Sequence, residues 1–183
     1  MAHLTTDELD AGLDDIRRSP QDGGTVELIV ARPGTGEREE VAEATLDPEV
    51  GLVGDNWQAR GSRHTDDGSA ELERQVTLMN ARAVALLAAD PSRRALAGDQ
   101  LYVDLDLGEA NLPAGTRLRL GGAVLEVSPL PHTGCAKFIE RFGRDAGRWV
   151  NVGAGKELNL RGINARVVEG GTVRVGDPVN KLP

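Results

Sequence analysis

Cysteine is nearly absent from this chain. Cys135 stands alone, so no disulfide can close within the sequence, and the three histidines, His3, His64 and His132, lack the spacing of a four-ligand zinc site. Aromatic residues make up only 3% while glycine reaches 23 residues, which favours many short strands and turns over a helical bundle. No apolar run approaches the ~20 residues of a membrane helix, and no basic segment followed by an apolar run precedes the fold. The expectation is a cytoplasmic protein, with a reducing compartment suited to a working thiol. Positive charge is also in deficit, 21 Lys/Arg against 29 Asp/Glu, and a net charge of −8 excludes general nucleic-acid binding. The deficit is uneven: residues 1–100 carry 10 basic and 20 acidic side chains, residues 101–183 carry 11 and 9, so an anionic small ligand fits best against the second half. A Walker loop, a dinucleotide fingerprint and a Gly-x-Ser-x-Gly elbow are all missing, which removes the ordinary nucleotide-binding and serine-hydrolase readings.

What is present is a succession of short β patterns in a chain of one-domain length, 183 residues. Thr5 to Glu8 form a capping box, and Leu9, Leu13 and Ile16 recur at helical spacing until Pro20. Residues 1–23 therefore read as an N-terminal helical extension that packs across one end of the fold or touches a partner. Thr25–Val30 is a strand, Glu39–Leu46 its partner, and Gln75–Met79 another. Asn80 caps a helix over residues 81–89, and Leu101, Val103, Leu105 and Leu107 alternate as a half-buried strand. The last segment reads as a hairpin, Arg161–Val168 turning at Glu169-Gly170-Gly171 into Thr172–Asp177. About eight strands with one good helix and several short ones give a mainly β fold with some α. A closed or partly closed β-barrel with short helical additions suits that count, and a β-sandwich is the alternative.

The chemistry converges on residues 113–142. Arg117 to Gly121 and Ala123 to Val127 form a hairpin about Gly121-Gly122, after which Pro129, Pro131 and Gly134 interrupt regular structure up to Cys135. Phe138, Ile139 and Phe142 then fall at helical spacing, so Cys135 sits at a helix start, where the macrodipole together with His132 and Lys137 favours a thiolate. A thiolate can attack, carry sulfur or bind metal, whereas a lone cysteine elsewhere behaves as a small buried hydrophobe. Arg141, Arg144 and Arg148, at helical spacing, share a face suited to phosphate or carboxylate. The long polar stretch from Gly51 to Arg74 is a candidate pocket wall through Asp55, Asn56, Arg60, Arg63 and His64.

Four segments in order, Gly98-Asp99-Gln100-Leu101, Ala114–Leu118, Ala123–Val127 and the proline-broken loop ending Cys135-Ala136-Lys137-Phe138, together resemble the MOSC family, named after the C-terminal domain of molybdenum cofactor sulfurases. Gly54-Asp55 with His64 behind it resembles that pattern too, and the likeness runs from Gly24 to Val179. The chain departs from the family where a Gly-Glu-Asn-Leu-like segment becomes Gly98–Leu101, and where an Arg-x-Pro-Cys-like approach becomes His132-Thr133-Gly134-Cys135. The resemblance implies a MOSC-like barrel over residues 24–183 and a molybdenum cofactor (molybdopterin). Cys135 is then the catalytic residue, as molybdenum ligand or persulfide carrier. Asp55, His64, Asp99, His132, Lys137, Arg141, Arg148, Arg161 and Asn164 are the implied cofactor contacts. It further implies sulfur transfer or molybdenum-dependent reduction of N-hydroxylated compounds, with a redox or sulfur-donor protein as partner. A non-catalytic barrel that captures an anionic small molecule is the competing function.

Overall fold

Apolar residues on seven strands turn inward to one another in the computed structural model, which describes residues 3–183. In chain order the elements are α1 (Thr6–Ala11), α2 (Leu13–Arg17), β1 (Gly24–Ala31), β2 (Glu39–Val41), β3 (Glu43–Asp47), β4 (Gly51–Leu52), α3 (Trp57–Arg60), β5 (Val76–Asn80) and α4 (Ala81–Ala88). They continue with β6 (Leu101–Asp104), β7 (Arg117–Leu120), β8 (Ala123–Pro131), α5 (Ala136–Phe142), α6 (Arg144–Trp149), α7 (Ala154–Glu157), β9 (Ile163–Glu169), β10 (Gly171–Arg174) and β11 (Pro178–Lys181). Strands pair in the order β11-β7-β8-β9-β5-β6-β1, and β1 returns to β11, closing a seven-strand barrel. Closure leaves no free edge among those seven strands. β2 adds to β1 outside the ring, while β10, β3 and β4 make a separate small sheet.

Among the described residues the only parallel pair is β5 with β6, and it needs a crossover, supplied by α4 and the 3-10 segment Pro91–Ala97. That crossover creates a second core outside the barrel. Val30, Met79 and Tyr102 point outward from β1, β5 and β6 into a cluster with Leu9, Leu13, Ile16, Val84, Leu87, Phe138, Phe142 and Trp149. The strands behind it are buried on both faces. Tyr102, expected as an outward polar position of a half-buried strand, is fully buried for that reason. The same cluster decides where the N-terminal helices lie. Their capping box is present, with Thr5 N–H donating to Glu8 Oε2 at 2.8 Å, but Leu9 and Ile16 pack on the outer wall rather than across a barrel end. Each such fully buried side chain contributes about 1.5–3 kcal/mol.

Three local expectations differ from the structure. Glu39–Leu46 is not one strand: β2 pairs with β1, and after Ala42 β3 leaves to pair with β10. The terminal hairpin does not form, because β10 lies against β3 and β9 lies between β8 and β5. β8 also runs on through Pro129 to Pro131. Its register against β9 shifts from Val127↔Ala165 to Pro131↔Ile163, so Pro129 sits within a bulge that needs no N–H for the ladder and Pro131 closes it.

Candidate functional site

The site gathers where β1 ends and the chain departs through Arg32. Although it follows an apolar strand, Arg32 is buried, because Asp55 receives it from 23 residues away. Asp55 Oδ2 accepts from the Arg32 backbone N–H (3.1 Å) and Nε (2.7 Å), Oδ1 accepts from Nη2 (2.9 Å), and Arg32 Nη1 donates to the Gly98 carbonyl (2.9 Å). Asp55 Oδ1 also accepts the Trp57 N–H at 3.0 Å, fixing the entry to α3. A second buried pair lies alongside. Arg161 Nη1 donates to Asp99 Oδ2 at 2.7 Å, Nη2 donates to the Ala97 carbonyl at 3.1 Å, and the guanidinium lies 4.9 Å from the Phe138 ring centre. Burial pushes the Asp99 carboxyl up while Arg161 pulls it down.

His132 Nδ1 lies 3.3 Å from Asp99 Oδ1, yet the pair makes no hydrogen bond, and both atoms are buried without a hydrogen-bond partner among the described residues. Burial, reinforced by Arg161, Arg32 and Arg74, holds this imidazole well below its ordinary value. His132 is therefore neutral at pH 7 and adds no positive potential beside the thiol, contrary to the sequence expectation.

Cys135 occupies the N-cap of α5 with extended backbone (φ −105°, ψ 176°), as its position before Ala136 leads one to expect. Its side chain is exposed, which sets aside the buried-hydrophobe reading. The approach to it is pinned by Asn151, whose Oδ1 accepts the Gly134 N–H at 3.0 Å and whose Nδ2 donates to the Gly147 carbonyl at 2.7 Å. A Cβ at position 134 would meet Asn151 Nδ2 at 2.8 Å, so this departure from the family pattern serves the clamp.

These elements enclose a cavity of about 320 Å³ lined by Arg32, Arg38, Arg60, Arg74, Lys137, Arg141 and Arg161, with Cys135, Asn56, Thr77, His132 and Asn164 among the uncharged side chains. No carboxylate lines it. Arg32, Arg161 and Arg74 are engaged by Asp55, Asp99 and Glu71; Arg38, Arg60, Lys137 and Arg141 make no ion pair among the described residues. Burial, then repulsion from Arg141 and Arg32, holds the Arg38 guanidinium below its ordinary value; burial and Arg32 do the same to Arg60. Such crowding is relieved by an anion. Buried Nε atoms of Arg38 and Arg161 and Asn56 Oδ1 also lack partners among the described residues.

Of the residues expected from the sequence, His132, Cys135, Lys137, Arg141, Arg161 and Asn164 line this cavity, and Asp55 and Asp99 lie beneath it as anchors for Arg32 and Arg161. His64 lies outside, exposed on its loop with its N–H on Ser62 Oγ. Arg148 lies outside too. Gly143, at φ 94°, separates α5 from α6, so the three arginines share no face, and Arg148 lines a different hollow with Asp10 and Trp149. Sequence reasoning missed Arg32, Arg38 and Arg74. Arg32 and Arg38 sit in the loop after β1 and Arg74 ends a 3-10 turn before β5, settings whose only signal was a basic residue near a turn.

A protein-family model described as the MOSC domain matches residues 53–180. No curated protein matches the sequence. Among solved structures, the YUAD protein from Bacillus subtilis superposes with a TM-score of 0.59 at 18% identity, covering 86% of this chain and 94% of that one. YiiM from Escherichia coli gives 0.56 at 23% identity, over 87% and 70%. YiiM from Geobacillus stearothermophilus gives 0.58 at 15%, over 87% and 75%. At these identities the likeness is one of fold.

Proposed function

Because this chain belongs to the MOSC domain family, we propose that its cation-lined cavity holds the molybdenum cofactor, with the pterin phosphate among the arginines and Cys135 as thiolate ligand to the metal. One observation carries the reading: four cationic side chains without a carboxylate partner surround a cavity whose wall includes an exposed thiol. The donor set fits the group. Guanidinium forks suit a phosphate, a soft thiolate suits molybdenum, and the Nε atom of Arg38, without a partner among the described residues, offers a donor already desolvated. Bound there, molybdenum supplies two-electron redox chemistry.

The remaining work falls to the chain. Arg38, Arg60 and Arg141 bind the anionic end, and Asp55 and Asp99 act through the guanidiniums they fix, Arg32 and Arg161. Neutral His132 stands beside Asp99 in the wall of the cavity. Electrons would come from a redox partner protein. Exposure of Cys135 also suits a second reading, sulfur carriage as a persulfide loaded by a sulfur-donor protein.

Elemental analysis of protein expressed in a cofactor-producing host, beside Cys135→Ala, tests the proposal. Near-stoichiometric molybdenum in the parent and its loss in the variant is the expected result. Equal metal in both removes the thiol as ligand, and none in either overturns cofactor binding, leaving sulfur carriage to persulfide labelling and anion capture to phosphate titration.

A further inference from the structure

Behind the wall formed by His132 and Arg161 lies a second, larger cavity of about 550 Å³, within the size range of small-molecule sites. The β8 bulge makes it. Five residues on β8 (127 to 131) span what three residues cover on β9 (165 to 163), so Ser128, Pro129 and Leu130 bow outward, and the space behind them faces Leu112, Ile163 and Val150. Protein interiors close-pack, and a hollow of this size persists only where its walls are held apart. Here three asparagines hold them. Asn164 Nδ2 donates to the Leu130 carbonyl (3.0 Å), Asn159 Nδ2 to the Leu107 carbonyl (2.9 Å), and Asn151 ties Gly134 to Gly147. Asn159 holds its place at a positive φ of 48°, a left-handed conformation that asparagine adopts more readily than most residues with a side chain.

The electrostatics contrast with the cavity on the other side of the wall. The only charged side chains lining this one, apart from Arg161, are Glu109 and Lys156, exposed and of opposite sign, and the Arg161 charge is engaged by Asp99. The shared wall nonetheless offers polar atoms: His132 Nδ1 and Arg161 Nε are buried and have no hydrogen-bond partner among the described residues. We propose that this cavity is a binding site for an uncharged small organic molecule with an apolar body and one hydrogen-bonding end, the latter seated against His132 and Arg161. The inference does not rest on molybdenum occupying the first cavity.

The test is a fluorescence titration of the purified full chain with N-phenyl-1-naphthylamine, an uncharged apolar dye carrying a single N–H. Saturable enhancement at one site per chain is expected. Ala114→Trp and Leu130→Trp place an indole in the cavity from exposed and half-buried positions, and each weakens binding by roughly ten-fold, the equivalent of about two buried methylenes, while melting like the parent. Cys135→Ala, in the other cavity, leaves the dye affinity unchanged, so loss of molybdenum and loss of the dye read out different sites. Absence of saturable binding in the parent overturns the assignment. So does undiminished affinity in Ala114→Trp, a substitution at an exposed position that decides the matter even if Leu130→Trp folds poorly.

Discussion

Arg161 and Asp99, 62 residues apart in sequence, meet through a 2.7 Å bond between Nη1 and Oδ2 in the buried floor of the cation-lined cavity. A buried ion pair contributes little net stability over an apolar replacement, but removing one partner strands the other charge. Arg161→Met is therefore expected to cost about 3–5 kcal/mol, while Arg161→Met combined with Asp99→Leu recovers most of it. Urea denaturation of the two single variants and the double checks this. A loss below about 1 kcal/mol in Arg161→Met would mean that Asp99 is not held as a charge by this contact.

His132 gives a pH dependence of definite sign. Its folded-state pKa lies well below the ordinary value of 6.5, so the unfolded chain binds the proton more readily. The contribution is fully present above about pH 6.5 and is lost as pH falls toward the depressed folded value, with a limiting slope of about 1.4 kcal/mol per pH unit. Asp99, pushed up by burial, contributes with the opposite sign, but it is present in both the parent and His132→Gln, so their difference isolates the imidazole. Unfolding free energies at pH 7.0 and 5.5 are expected to diverge, with the parent losing more than the variant. Parallel curves would place the imidazole in contact with solvent water.

Much of the fold could be read from local signals. The Gly121-Gly122 hairpin, the Asn80 cap and the position of Cys135 before α5 each depend on neighbours a few residues away, and each is present. What escaped depends on distant partners. β10 chooses β3 over the adjacent β9, and Tyr102 is buried because α4 and the N-terminal helices cover a face that alternation alone reads as wet. At the site the same division holds. The arginines of the second half suggested an anion, but Arg32 reaches the cavity only as Asp55 holds it, and no local pattern links position 32 to position 55. The charge state of His132 follows from burial and from guanidiniums contributed by three other segments, which the Pro131-His132 sequence does not reveal.

Asn80 does more than cap a helix. Oδ1 accepts the Ala83 N–H at 2.9 Å, and Nδ2 donates to Ser19 Oγ and to the Leu105 carbonyl, both at 2.8 Å, so one buried amide joins α4 to the N-terminal segment and to the chain after β6. Asn80→Ala removes the cap, worth about 1 kcal/mol, and leaves a buried carbonyl and hydroxyl unpaired at about 1–3 kcal/mol more. Asn80→Asp keeps the cap, loses the donors and sets a buried carboxylate against the Leu105 carbonyl. Thermal unfolding is expected to rank the parent above both variants, and a loss no larger than a surface cap would show that the amide's other two bonds carry nothing.

Arg60 separates binding from stability. It lines the cation-rich cavity, makes no ion pair among the described residues, and, though exposed, is repelled there by Arg32. Its removal therefore costs the free protein nothing and relieves like-charge repulsion, so Arg60→Ala is expected to melt at or slightly above the parent temperature. For a bound anion the sign reverses. A charge-assisted hydrogen bond is worth about 1.5–3 kcal/mol, so calorimetric titration with inorganic phosphate should show about ten-fold or greater weakening in Arg60→Ala and in Arg38→Ala. Arg144→Ala, exposed and outside the cavity, serves as the control with unchanged affinity. Because several cations share the ligand, affinity should also fall as salt is raised from about 50 to 200 mM, and less steeply in each variant that lacks a cavity arginine. Parent-like phosphate affinity in both Arg38→Ala and Arg60→Ala would mean that the anion sits elsewhere, for these are two of the four cavity cations that make no ion pair among the described residues.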